Sequence, residues 1–135
     1  MRFGRNAAVW SRSAGEAGTV LRSMKLPARD AIIPPDKLRD YLLSPTHPDG
    51  RAKAQYLGRL GYSQDTFPQL EADLRVQVLC RDAQPMRATL YGQKYEILGP
   101  LTGPNGSTGW VRTIWITLTG ETAPRLVTLI PAEKP

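Results

Sequence analysis

Cysteine and histidine each occur once in this chain, as Cys80 and His47, and that scarcity excludes a good deal. One cysteine closes no internal disulfide, and one histidine with one cysteine cannot build a cysteine-rich zinc site. No acidic cluster suits a bound magnesium ion. No apolar run approaches the ~20 residues needed to cross a bilayer. The basic start, MRFGRNAAVW, lacks the apolar stretch of a secretory signal. GxxxxGKS/T, GxGxxG and GxSxG patterns are missing too, which removes the familiar nucleotide loops and the serine-hydrolase elbow. The expectation is a cytoplasmic protein with no cofactor, no metal and no membrane partner.

Positive charge is present but unevenly placed. The formal net charge is +6 over 135 residues. Residues 1–25 hold Arg2, Arg5, Arg12, Arg22 and Lys25 against Glu16, a net +4, so the other 110 carry only +2. A nearly balanced body argues against a broad basic face for nucleic acid. Residues 1–23, rich in Gly, Ser, Ala and Arg without helical or strand period, read as a basic flexible arm. Met24 offers an alternative translation start, and residues 24–135 form the expected single domain.

Within that domain the hydrophobic period changes once. Pro34-Pro35 and Asp36 mark a helix start, and Leu38, Tyr41 and Leu42 follow at helical spacing until Ser44-Pro45. A second helix follows Pro48, with His47 at or beside its N-cap and Gly61 just past its end. Thr66 opens a third, with Leu70, Leu74 and Val78 on its buried side. After Pro85 the period becomes two, in MRATLY, KYEILGPL, GWVRTIWITL and RLVTLI. Connectors at Gly92-Gln93, Gly103-Pro104-Asn105-Gly106 and Thr119-Gly120-Glu121 suit antiparallel hairpins. The fold class is α+β, about three N-terminal helices packed on a four-stranded antiparallel sheet.

Lys53 raises the functional question. On the second helix it shares a face with Tyr56, Leu57 and Leu60, while Arg51, Gln55 and Arg59 lie opposite. One explanation is a stem packed on Leu57 with the ammonium snorkelling to water; the other is a lysine bordering a cleft, ready for an anion. His47 stands at a helix N-terminus, where free N–H groups attract phosphate. On the sheet, Arg112, Thr113 and Thr128 are polar positions able to meet a phosphate, although threonine is also simply a good strand former. The glycine-rich TGPNGSTG joins two strands and reads as a hairpin turn. Tyr95, Trp110 and Trp115 could stack bases or fill a core.

The segments YLLSPTHPDGRAKA, GPNG, VRTIW and RLVTLIP resemble a family of small bacterial proteins of unassigned function, over roughly residues 26–131. More distantly, helices bearing His and Lys ahead of a four-stranded sheet are similar to the barnase/EndoU/colicin D/RelE-like ribonuclease toxins. That resemblance implies metal-independent RNA cleavage through attack of a ribose 2′-OH, with tRNA or another structured RNA as substrate. It also implies an antitoxin or immunity protein as partner. Carried onto this sequence, His47 would take the 2′-OH proton, Lys53 and Arg112 would stabilise developing charge, and Thr113 and Thr128 would hold phosphate oxygens. No second histidine exists to protonate the leaving oxygen, a task left to Lys53, Tyr41, Glu96 or water. Two other readings stand beside it: a non-catalytic immunity or antitoxin-type module binding a partner through an edge strand, and a binder of a phosphate-bearing ligand.

Overall fold

A computed structural model describes residues 24–135; the expected arm over 1–23 lies outside the described residues. Helix α1 starts at the proline pair (Pro35–Lys37) and continues as a wider, π-helical turn over Leu38–Leu42. Helix α2 spans Arg51–Gly58, and α3 spans Phe67–Asp73, again prolonged by a π-helical turn over Leu74–Val78. The strands are β1 (Gln84–Ala88), β2 (Gly92–Thr102), β3 (Thr108–Leu118) and β4 (Pro124–Ala132). They form one antiparallel sheet in chain order. The architecture is α+β, with three helices against a four-stranded sheet.

The helical period puts Leu38, Leu42, Leu57, Leu70, Leu74 and Val78 inside, all fully buried. Alternation in the strands sends Ile97, Leu101, Val111 and Trp115 to meet them. Each such leucine contributes roughly 1.5–3 kcal/mol by leaving water, which is what holds short helices to the sheet. The α3 turn packs on β2, and α2 packs on β4.

Two details depart from simple alternation. Gly92 and Gln93 open β2 rather than forming the turn; Leu90 and Tyr91 are the turn, closed by reciprocal backbone bonds between Thr89 and Gly92 of 2.9 and 3.3 Å. Glycine is needed at 92 because a Cβ there would lie 2.2 Å from the Thr117 carbonyl oxygen across the ladder. In β4, Leu126, Val127 and Thr128 stand opposite only Trp115 and Ile114, a bulge. Leu126 and Leu129, three residues apart, are consequently both buried, which a regular strand forbids. Just before the bulge, Ile32 bridges the outer edge of β4, its N–H donating to the Pro124 carbonyl and its carbonyl accepting from Leu126.

Candidate functional site

The loop between α1 and α2 contains two prolines and no ladder, so its backbone donors need other partners. Ser44 Oγ accepts from the N–H groups of Thr46 and His47 at 3.3 and 3.1 Å. His47 Nδ1 then accepts from Asp49 and Gly50 at 3.0 and 3.1 Å, and its carbonyl accepts from Arg51 at 3.0 Å. Pro45 and Pro48 have no N–H to satisfy. The N-cap of α2 is Gly50, three residues after His47, rather than His47 or its neighbour as the proline spacing suggests; His47 closes the turn that leads into the helix, through N–H groups that precede Arg51. With Nδ1 accepting, the neutral ring carries its proton on Nε2 and meets a ligand as a hydrogen-bond donor.

Gly50 brings α2 against α1. A Cβ at this position would lie 1.9 Å from the Tyr41 carbonyl oxygen and 3.2 Å from its ring, so only glycine permits the approach. The Tyr41 ring then meets the His47 ring edge-on, with centroids 5.0 Å apart and planes at 66°. One helical turn into α2, Lys53 leans along its apolar side toward β4, beside buried Leu57 and Leu60. Its ammonium donates to the Tyr41 hydroxyl and, at 2.9 Å, to Thr128 Oγ1. Tyr41 and Thr128 are themselves bonded at 2.9 Å, closing a triangle across α1, α2 and β4.

This triangle lines an open cleft of about 530 Å³, with His47 and Val127 also on its wall. Lys53 Nζ is 4.8 Å and Lys37 Nζ 5.6 Å from the centre of the Tyr41 ring. Burial pushes the Tyr41 phenol up, but the bonds from Lys53 and Thr128 and the charges of Lys53 and Lys37 outweigh it, leaving the phenol below its ordinary range. Asp36, Asp40 and Asp49 stand at the rim. Asp40 is gripped by both arms of the Arg39 guanidinium at 2.9 Å, which holds its carboxyl below the usual range. Among the described residues no cluster of three or more His, Cys, Asp or Glu is placed to hold a metal ion, and no helix is long and apolar enough to cross a membrane.

Of the five residues singled out in the sequence, the structure brings together His47, Lys53 and Thr128. Arg112 and Thr113 stand elsewhere and do not line the cleft. Arg112 is ion-paired with Glu96 on β2, on the opposite face of β3 from the buried Val111, Thr113 and Trp115. Thr113 is fully buried; its hydroxyl donates to the Ile97 carbonyl at 3.3 Å and accepts from Trp115 Nε1 at 2.8 Å. The GPNG hairpin caps the other end of α2, with Asn105 donating from its side chain to the Arg59 carbonyl and from its backbone to Leu60. Tyr41, read in the sequence as part of the apolar stripe of its helix and as one of several groups that could protonate the leaving oxygen, is the hub of the cluster. Twelve residues separate it from Lys53, and no local spacing links them.

Comparison with known proteins gives a family and nothing finer. No curated protein and no solved structure matches the chain. Residues 25–133, nearly the whole of the described domain, match the family model of a domain of unknown function, DUF6883, and the chain belongs to that family.

Proposed function

We propose that this chain is a metal-independent endoribonuclease of the toxin type, acting in the Tyr41–His47–Lys53–Thr128 cleft by attack of a ribose 2′-OH on the adjacent phosphorus. The observation that supports this reading is the lysine held between a phenol and a hydroxyl at the mouth of an open cleft. Lys53 supplies a fixed positive charge where a phosphorane gains negative charge. The His47 Nε2–H adds a neutral donor for a phosphate oxygen. Two lysines against three carboxylates around the cleft give little long-range pull on a polyanion. Selection therefore rests on local shape, which favours a structured RNA such as a tRNA over any single strand.

The test is total bacterial RNA incubated with the purified chain in excess chelator. Discrete fragments ending in 2′,3′-cyclic phosphate are expected, formed at least ~100-fold more slowly by Lys53→Ala. RNA left intact by the soluble wild type would overturn the reading. The non-catalytic reading has its own support in β1, an edge strand whose five residues are all exposed. A cognate antitoxin or immunity protein could add a strand there. In that case substitutions to proline along β1 would abolish partner capture while RNA stays uncut.

A further inference from the structure

The cluster contains a group better placed to accept a proton than its histidine. We infer that Tyr41, through its hydroxyl oxygen, is the proton acceptor of this site, and that His47 serves it as a donor and closes the turn before α2; the inference rests on the ribonuclease reading. The geometry separates the two candidates. His47 Nδ1 is occupied by the Asp49 and Gly50 N–H groups, which leaves its protonated Nε2 for a ligand. Tyr41 Oη lies in the cleft between the Lys53 ammonium and the Thr128 hydroxyl, two donors that favour the oxyanion over the phenol.

The charges facing Tyr41 come from three sides. Its own helix contributes Asp36, Lys37 and Asp40, the loop His47 and Asp49, and α2 contributes Lys53; β4 brings the uncharged Thr128. The ammonium of Lys53 is in direct contact, and Asp40 is already neutralised by Arg39. Their net effect lowers the phenol. In the step, the Tyr41 oxyanion takes the 2′-OH proton as the O2′–P bond forms and the P–O5′ bond breaks. Water in the open cleft protonates O5′, and the hydroxide so formed removes the proton from the phenol. Protons and charge balance, and Lys53 remains an ammonium throughout.

Two measurements on the full chain test this. The first follows phenolate absorption through an alkaline titration of wild type, Tyr41→Phe and Lys53→Met. One of the five tyrosines should ionise ahead of the others in wild type, be missing from Tyr41→Phe, and move to higher pH in Lys53→Met. Superimposable curves overturn the inference. The second reads cleavage of total bacterial RNA against pH. Tyr41→Phe should cut at least ~100-fold more slowly, whereas His47→Asn should lower the rate without moving the pH at which activity rises. If wild type and Tyr41→Phe cut alike, the acceptor role falls while the ribonuclease reading survives. If wild type leaves RNA intact, both fall.

Discussion

At position 50 the absence of a side chain sets the site. The backbone of Gly50 is not in a left-handed conformation, with φ of −99°, so its constraint is the Tyr41 carbonyl a Cβ would strike. Gly50→Ala must push α2 away from α1. A stability loss of about 1–3 kcal/mol is expected from such overpacking, seen as a Tm lower by roughly 5–15 °C with the Tyr41–Lys53 contact disturbed. Thr113 is the contrasting residue. Thr113→Val leaves the buried Trp115 N–H without its acceptor, which costs about 1–3 kcal/mol, and should leave RNA cleavage by the folded fraction unchanged. Denaturant unfolding with a parallel cleavage assay separates these effects. Cleavage lost at unchanged stability would place Thr113 in the site after all.

Helix α2, eight residues long, is too short to persist alone. It is held at both ends by side chains from outside its span, His47 before it and Asn105 after it. Lys53 lies between the two clamps. A side-chain bond of this kind, made by His47 to the turn just before α2, contributes about 1 kcal/mol. His47→Ala should cost about that much by thermal or denaturant unfolding, and His47→Asn, whose amide oxygen can accept the same two N–H groups, should recover most of it. Equal losses in both variants would show that the ring's packing on Tyr41 matters more than its nitrogen. In β4 the bulge allows Leu126 and Leu129 to enter the core together and leaves the Thr128 hydroxyl at the cleft rim.

Across the whole molecule, Tyr62 ties the α2–α3 connection to α3 by donating to Asp73 Oδ2 at 2.6 Å. Burial and this carboxylate push its phenol well above the ordinary range. The folded chain then keeps a proton that the unfolded chain releases near pH 10. Stability from this group is complete below that pH and declines as pH rises beyond it. Unfolding free energy measured from pH 8 upward should therefore fall above about pH 10, and fall less steeply in Tyr62→Phe. Identical slopes would show that the bond to Asp73 does not persist in solution.

The elements and their inward faces are legible in the order of the amino acids. Periods of 3.6 and then 2 decide which side of each helix and strand is apolar, and the domain has no other way to bury Leu38, Leu57, Leu70, Val111 and Trp115. The same order also marks Lys53, because a charge among apolar neighbours breaks a helical pattern that is visible locally. Tertiary structure alone decided the company Lys53 keeps. Tyr41 and Thr128 lie 12 and 75 residues away, and their meeting depends on a glycine contact between helices and an extra residue in an edge strand. Arg112 and Thr113 show the same limit from the other side. Adjacent in sequence, they face opposite sides of β3, one to an ion pair and one to the core. Alternation predicts that they diverge, but only packing fixes which side the helices cover.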